Sequence, residues 1–314
     1  MNTYKTITSL KNSDERYNFV DENIVMDNIQ KLFPTQEAVK FQVIEDGYTN
    51  LVFNFTVEGL RYVYRYPGVD TEYINRETEY NANKIASELG LDATLLWSDK
   101  SGHKIMKYIV NFRYLEYSIK TDVELIIETF LKLHNSEQLS GQVYDIIGDI
   151  NTFYVDNFEY NASIFPNMSK LFERVKTIYK EFNYEDRKHV LCHNDIYRTN
   201  VLITLDRYYI IDWEYAKDGD PSFDLATFII CSDYSDYEVS RLLKMYLKDD
   251  YTQELAYAYY QGFAIASFYW LLWALHVEKN GGDTEGFVDK YYGYLLRFLK
   301  IITKQAKALN NPQK

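Results

Sequence analysis

Apolar and polar residues follow strand-like spacing in much of the first part of the chain and helix-like spacing in most of the rest. Apolar residues recur at helical intervals over residues 21–33, which predicts a helix that ends before Pro34. Residues 74–89 predict an amphipathic helix ended by Gly90. Short segments rich in β-branched and aromatic residues predict strands at 39–44, 51–57, 61–66, 95–97 and 104–109.

Long helical patterns dominate after residue 111. They predict helices at roughly 121–135, 168–183, 238–248, 252–279 and 286–308, interrupted by short β-like segments at 201–204 and 208–212. We therefore expect an α+β fold, with a sheet-containing N-terminal lobe over residues 1–108 and a larger, mainly helical C-terminal lobe over residues 109–314. The polar residues 1–20 are expected to be loosely ordered.

Composition and charge narrow the classes of function. The 314 residues are 46% hydrophobic and 25% charged, which is typical of a globular protein long enough for two packed domains. The net charge of −12 disfavours binding to the phosphate backbone of nucleic acid. Two cysteines, Cys192 and Cys231, cannot form a disulfide framework and fit a reducing compartment.

Neither a secretory signal nor a membrane span is predicted. The first twenty residues lack a continuous apolar core. The longest apolar run, residues 263–277, is shorter than the roughly 20 residues that a spanning helix needs. We therefore expect a cytoplasmic protein without membrane insertion.

Candidate chemistry is concentrated in residues 193–200, HNDIYRTN, and residues 210–216, IIDWEYA. Asp195, Asn200 and Asp212 are three oxygen-bearing side chains. A base for an acceptor hydroxyl and hard ligands for Mg²⁺ are what phosphoryl transfer requires of a protein. Each residue taken alone is better explained as a loop cap or a strand end, but the three in this order and spacing favour a kinase, with Asp195 as the base and Asn200 and Asp212 as metal ligands.

These two segments resemble the choline/ethanolamine kinases, which share the protein-kinase-like fold of the aminoglycoside phosphotransferases, and they are most similar to the bacterial choline kinases. The resemblance extends over roughly residues 40–300. It implies a two-lobed protein-kinase-like fold with a small antiparallel sheet lobe. It also implies ATP as co-substrate in the cleft between the lobes, Mg²⁺ as the metal, and choline or a related amino alcohol as acceptor.

The resemblance also implies a set of ATP-binding residues. Residues 47–50 match the loop that covers the nucleotide, but with one glycine where protein kinases have several, so Thr49, Asn50 and backbone N–H groups must hold phosphate. Arg65 replaces the usual kinase lysine and offers a bidentate fork, with Glu77 as its acidic partner. The interlobe hinge, where backbone groups would meet adenine, matches Lys107, Tyr108 and Ile109.

Aromatic residues are the candidates for holding the amine. A quaternary ammonium donates no hydrogen bond and is best held by aromatic faces and a carboxylate. Trp270 and Trp273 lie at i, i+3 on one helix face, a spacing that by itself is more typical of core packing. The resemblance assigns choline contacts to both tryptophans and to Glu214, Tyr215, Tyr291 and, with an ambiguous alignment, Tyr234.

Two further residues are expected to be structural. The resemblance implies that His193 braces the backbone of residues 193–200, and that Asp224 anchors the same segment through backbone N–H groups. His189 and His193 have i, i+4 spacing, but residues 192–193 read as a strand leading into a loop, which disfavours zinc. Sequence patterns of P-loop, Rossmann, zincin and α/β-hydrolase proteins do not occur in the chain.

The sequence thus predicts an ATP-dependent choline kinase. The alternatives are a kinase of the same fold for ethanolamine, an aminoglycoside or a sugar, and a catalytically silent kinase-fold protein that binds a partner or a quaternary amine. A protein kinase is disfavoured because neither a glycine-rich loop signature nor an activation segment is evident. The sequence does not give the oligomeric state, and a homodimer remains open.

Overall fold

The computed structural model describes residues 4–12, 17–44, 50–68 and 74–310. The chain divides into two compact units. The first comprises Met1–Tyr114 and Val201–Ala216, and the second comprises Leu115–Asn200 and Lys217–Lys314. The prediction divides the chain once, between residues 108 and 109. The first unit of the structure instead ends at Tyr114 and also includes residues 201–216.

The first unit contains a five-stranded antiparallel sheet. Its strands are β1 (Ala38–Ile44), β2 (Asn50–Val57), β3 (Leu60–Pro67), β4 (Leu95–Ser98) and β5 (Lys104–Lys107), in the spatial order β1-β2-β3-β5-β4. Glu58 and Gly59 join β2 to β3 with positive φ angles of 49° and 82°. A two-residue turn of this kind matches the twist of paired strands. All five strands lie close to the predicted segments.

Among the described residues of this unit, the helices are α1 (Ile7–Lys11), α2 (Glu22–Leu32) and α3 (Arg76–Glu88). Ile7 and Leu10 are fully buried in the core formed with the sheet, and Tyr4 pairs with Phe41 of β1. Within residues 1–20, for which loose order is expected, the structure places this short helix, and its two buried apolar side chains join it to the core of the sheet. Residues 1–3 and 13–16 lie outside the described residues.

A second, smaller sheet of the first unit leads to the predicted metal ligand. It consists of β6 (Arg113–Tyr114), β8 (Val201–Ile203) and β9 (Tyr208–Ile210), in the order β6-β8-β9. Asp212 lies two residues after the end of β9 and has a φ of +67°, in the left-handed region that non-glycine residues seldom adopt. Strained backbone of this kind occurs preferentially at functional sites.

The second unit is mainly helical. Its two strands, β7 (Val190–Cys192) and β10 (Lys217–Gly219), pair antiparallel. Its helices are α4 (Lys120–His134), α5 (Ile146–Asp156), α6 (Phe158–Ile164), α7 (Met168–Phe182), α8 (Ser222–Cys231), α9 (Asp236–Leu247), α10 (Gln253–Lys279) and α11 (Phe287–Asn310). Of these, α5, α6 and α8 were not predicted.

Helix α10 forms the centre of this unit. Every side chain from residue 259 to residue 272 is buried, and the helix packs against α5, α7, α8 and α11. A helix that is apolar on all sides is one enclosed by other helices. Within the described part of the chain, no helix is both long enough and apolar enough to cross a membrane.

Candidate active site

Asp195 and Asn200 lie together in the loop between β7 and β8, residues 193–200, which we call the catalytic loop. The Asn200 amide nitrogen donates to the backbone oxygen of Asp195 and to its Oδ2, both at 2.9 Å. One amide thus binds both the backbone and the side chain of Asp195, and the bond to Oδ2 orients the carboxylate. The second unit therefore brings together two of the three oxygen-bearing residues singled out in the sequence.

The backbone of the catalytic loop is held by buried side chains. Asn194 has a φ of +64°, and its N–H donates to Asp224 Oδ1 at 2.6 Å. The N–H of His193 donates to the other oxygen of Asp224 at 3.0 Å, and the N–H of Asp195 donates to His193 Nδ1 at 3.1 Å. These bonds satisfy three successive backbone donors and stabilise the left-handed residue that precedes Asp195.

A buried histidine completes the support of Asp224, and sequence analysis missed it. His134 Nε2 lies 2.9 Å from Asp224 Oδ2, and His134 Nδ1 lies 2.8 Å from the Tyr246 hydroxyl. All three side chains are buried. In the sequence, His134 stands among helical residues without a motif, so nothing in the spacing could have identified it.

A second missed contact secures the far end of the catalytic loop. Glu116 accepts from Arg198 Nη2 at 2.8 Å and from its Nε at 3.3 Å. The backbone N–H of Arg198 donates to the Tyr117 hydroxyl at 3.2 Å, and the Tyr234 hydroxyl donates to the backbone oxygen of Tyr117 at 2.9 Å. Tyr234, predicted as a choline contact, therefore takes part in bracing the loop.

Tyr291 of α11 contacts Cys231 of α8. The Tyr291 hydroxyl is 3.7 Å from Cys231 Sγ, and its ring stacks on Phe287. Burial raises the pKa of the Cys231 thiol to about 12, and the charge of Asp195 acts in the same direction. Burial likewise raises the pKa of Tyr291, with smaller contributions from Cys231 and from Asp195. Tyr291, predicted as a choline contact, is thus a buried ring of α11 that contacts α8.

The two tryptophans of α10 contact each other edge to face. Their ring centroids are 5.3 Å apart with an interplanar angle of 78°. Trp270 is buried, and its indole nitrogen donates to Thr227 Oγ1 at 3.0 Å, whereas Trp273 is partly exposed. The i, i+3 spacing therefore does place both indoles on one side of the helix, with different access to solvent.

The first unit contains a buried network of charged residues around Arg65 of β3. Its guanidinium contacts both oxygens of Glu79 in α3, at 2.6 and 2.8 Å. The same guanidinium lies 3.3 Å from Asp212 Oδ1 and 3.6 Å from Glu214 Oε2. A bidentate arginine–carboxylate pair is among the strongest and most directional contacts in proteins.

The partner of Arg65 differs from the predicted one. Glu77 is exposed and pairs with Lys100, so the prediction that Glu77 orients Arg65 is wrong. A helix turns about 100° per residue, so residues 77 and 79 point in different directions, and the register of α3 turns Glu79 toward β3. Burial alone would raise the pKa of Glu79, but the charges of Lys104 and Arg65 hold it well below its ordinary value.

Two further cations complete the network, and sequence analysis missed both. Lys104 Nζ lies 2.7 Å from Glu79, and Arg76 Nη1 lies 2.8 Å from Glu79 and 3.5 Å from Glu214. A Cβ at Gly102, which has a φ of +94°, would stand 2.8 Å from the Arg76 side chain, so this turn requires glycine. The strand pattern places Lys104 at a position that should be buried. A lysine at such a position indicates a buried acidic partner, so its place in the network could have been inferred from the sequence.

Glu214 belongs to this network. Its Oε2 accepts from the Asn50 amide at 2.7 Å, and Arg76 Nη2 donates to Asn50 Oδ1 at 3.2 Å. Burial and the nearby Asp212 carboxylate raise the pKa of Glu214 above its ordinary value. Tyr215, the next predicted choline contact, is partly buried.

The remaining residues predicted to bind ATP are those of the hinge, 107–109, and residues 49 and 50. Lys107 ends β5 and is exposed, Tyr108 lies with its ring centroid 4.0 Å from the Arg61 guanidinium, and Ile109 is partly buried. Asn50 begins β2, but Thr49 lies outside the described residues. The adenine contacts of the hinge stay a prediction.

The predicted Mg²⁺ ligands have suitable chemistry. Mg²⁺ prefers carboxylate, amide and water oxygens. Asp212 presents a carboxylate that is 37% exposed, and Asn200 uses its amide nitrogen toward Asp195, so its amide oxygen is the available ligand atom. Glu79, Asp212 and Glu214 also place oxygens within 4.8 Å of one another, but Arg65, Arg76 and Lys104 neutralise that cluster.

Comparison with known proteins identifies related sequences. Residues 40–258 match the family model of the APH phosphotransferase enzyme family. Protein LicA of Haemophilus influenzae is 29% identical over 221 residues, which cover 68% of this chain and 64% of that protein. The chain therefore spans slightly less than two thirds of the length of this relative.

Solved structures share the fold. Choline kinase LicA from Streptococcus pneumoniae superimposes with a TM-score of 0.69 at 23% identity, over 90% of this chain and 99% of that chain. Plasmodium vivax ethanolamine kinase superimposes with a TM-score of 0.67 at 18% identity, over 95% of each chain. The α+β protein-kinase-like fold expected from the sequence is thereby confirmed.

Proposed function

Because the chain belongs to the phosphotransferase enzyme family, we propose that it is a choline kinase, which transfers the γ-phosphate of ATP to the choline hydroxyl. The observation that carries this proposal is the Asp195 carboxylate, oriented by Asn200. The similarity to a choline kinase and an ethanolamine kinase supports an amino alcohol as acceptor.

Asp195 acts on the acceptor hydroxyl. A carboxylate oriented by a hydrogen bond from Asn200, whose amide also binds the Asp195 backbone oxygen, can accept the hydroxyl proton as the oxygen attacks the γ-phosphorus in line. Because the loop backbone is fixed, the base does not have to be reoriented during the reaction. Positioning the reacting groups in this way lowers the barrier to phosphoryl transfer.

Asn200 and Asp212 hold Mg²⁺, and Arg65 supports the phosphates. When bound, Mg²⁺ neutralises charge on the transferring phosphoryl group. Glu79 holds the Arg65 guanidinium at both oxygens, so its position is set before a nucleotide arrives. Thr49 and Asn50 contact phosphate. The backbone groups of Lys107, Tyr108 and Ile109 contact the adenine.

Aromatic rings hold the ammonium group. Trp270, Trp273 and Tyr291 provide the main aromatic faces for the ammonium group. Tyr215 and Tyr234 contribute further rings. We assign Glu214 to the network of Arg65, Arg76 and Asn50, in place of the amine contact expected from the resemblance, because its carboxylate already accepts from Asn50 and faces two arginines. The cytoplasm is the expected location.

A panel of acceptors tests the function directly. Release of ADP from Mg²⁺-ATP is measured with choline, ethanolamine, an aminoglycoside, a sugar and no acceptor. We expect the highest kcat/KM with choline. Faster turnover with an aminoglycoside or a sugar would move the protein to the alternative kinase class, and stabilisation by ATP without transfer to any acceptor would indicate a silent binding protein.

Trp273→Ala is expected to raise the KM for choline about tenfold, because a desolvated cation–π contact contributes on the order of 1–2 kcal/mol. Trp273→Phe keeps an aromatic face and should give an intermediate KM. A neutral acceptor of the same shape, 3,3-dimethylbutan-1-ol, should show no such dependence on residue 273. An unchanged KM for choline in Trp273→Ala would reassign this ring to core packing.

A further inference from the structure

The Trp270 indole takes part in a chain of buried hydrogen bonds. Its N–H donates to the hydroxyl of Thr227 in α8 at 3.0 Å. The Thr227 oxygen lies 3.2 Å from the backbone oxygen of Asn194 and 3.1 Å from that of Phe223, and donates its proton to them. The Thr227 oxygen accepts from the indole through a lone pair, so its single hydroxyl proton stays available for the two carbonyl groups.

The carbonyl that Thr227 reaches belongs to the peptide group leading into Asp195. Asn194 is left-handed, and its N–H is held by Asp224 at 2.6 Å. Asp224 and Thr227 are three residues apart on α8, so one face of this helix restrains both the N–H and the C=O of Asn194. Two restraints on one strained residue fix the direction in which the chain enters Asp195.

We propose that Trp270 is a positioning residue for Asp195, acting through Thr227, in addition to offering an aromatic face to the acceptor. The indole N–H links α10, on which the tryptophan pair lies, to the backbone of the catalytic loop. This inference rests on the proposed function in so far as Asp195 is the base. It predicts that the N–H group and the aromatic face of Trp270 contribute to different kinetic constants.

Thr227→Val isolates the link, since it keeps the side-chain shape and removes the hydroxyl. We expect kcat to fall about tenfold or more, since small displacements of a catalytic group are costly, while the KM for the acceptor changes less than about threefold. Trp270→Phe should lower kcat similarly. The double variant should be no slower than the slower single variant, because both substitutions break the same chain. Thr227→Ser should restore turnover.

Ser267→Ala is the matched control. Ser267 is a buried hydroxyl on the same helix as Trp270, and it donates to Phe263 of its own helix at 2.6 Å. We expect kcat near that of the wild type. Multiplicative effects of Thr227→Val and Trp270→Phe, or a change confined to the KM of the acceptor, would overturn the proposal.

Hydrogen exchange provides a readout that does not depend on turnover. We expect Thr227→Val and Trp270→Phe to accelerate amide exchange in the catalytic loop, residues 193–200, at unchanged exchange in α4, and Ser267→Ala to leave both unchanged. Unaltered exchange of the loop would contradict the positioning role even if choline were the acceptor. Accelerated exchange in a protein that phosphorylates no amino alcohol would support the link while rejecting the proposed function.

Discussion

Asp195→Asn should lower kcat by about 10²–10⁴-fold and leave the affinity for ATP nearly unchanged. General-base catalysis contributes on this order, and an amide cannot accept the hydroxyl proton. The substitution is conservative, because an amide oxygen at residue 195 can still accept the hydrogen bond from Asn200. Steady-state ADP release measures kcat, and thermal stabilisation by Mg²⁺-ATP measures nucleotide binding.

Asp206→Asn is the control for this substitution. Asp206 lies in the exposed turn between β8 and β9, where it pairs with Arg207, and its replacement should leave kcat within about twofold. Turnover of Asp195→Asn at the wild-type rate would remove Asp195 from the mechanism. Loss of ATP binding together with turnover would instead point to a structural role of Asp195.

Glu79→Gln should destabilise the protein by about 3–5 kcal/mol and weaken ATP binding. Removing one partner of a buried ion pair leaves uncompensated charge, and Glu79 balances Arg65 and Lys104 at once. Denaturant unfolding measures the loss of stability, and titration with Mg²⁺-ATP measures the loss of affinity that follows when Arg65 is no longer oriented.

Glu77→Gln separates this network from a surface contact. Glu77 is two residues away on α3, and its pair with Lys100 is solvent-exposed, so we expect a change in stability below about 1 kcal/mol and unchanged ATP binding. Equal effects of the two substitutions, or a larger effect at residue 77, would contradict the assignment of Glu79 as the partner of Arg65.

The strands of the first unit were predictable because their signal is local. Segments such as β2 and β3 are short and rich in β-branched and aromatic residues between turn signals, and the structure departs from the predicted bounds by one or two residues. Helix α8 was missed for the opposite reason. Residues 222–231 form a short, almost continuously apolar run, whose spacing does not distinguish a buried helix from a strand.

The site was predictable where residues follow a motif and not where three-dimensional packing selects them. Asp195 and Asn200 follow a motif and lie in contact. The choice of Glu79 instead of Glu77 depends on the rotation of α3 against β3, which one sequence does not reveal. Tyr117 contacts the catalytic loop and His134 contacts Asp224, which holds that loop; both come from segments distant in the chain, and neither has a local signal.

Phosphorus NMR of a reaction with Mg²⁺-ATP and choline tests the central claim, transfer of the γ-phosphate to the choline hydroxyl by Asp195, most directly. The account predicts that the γ-phosphate signal is replaced by a phosphomonoester that matches phosphocholine, and that Asp195→Asn suppresses this signal. Conversion of ATP to inorganic phosphate alone, or phosphocholine formed by Asp195→Asn at the wild-type rate, would contradict it.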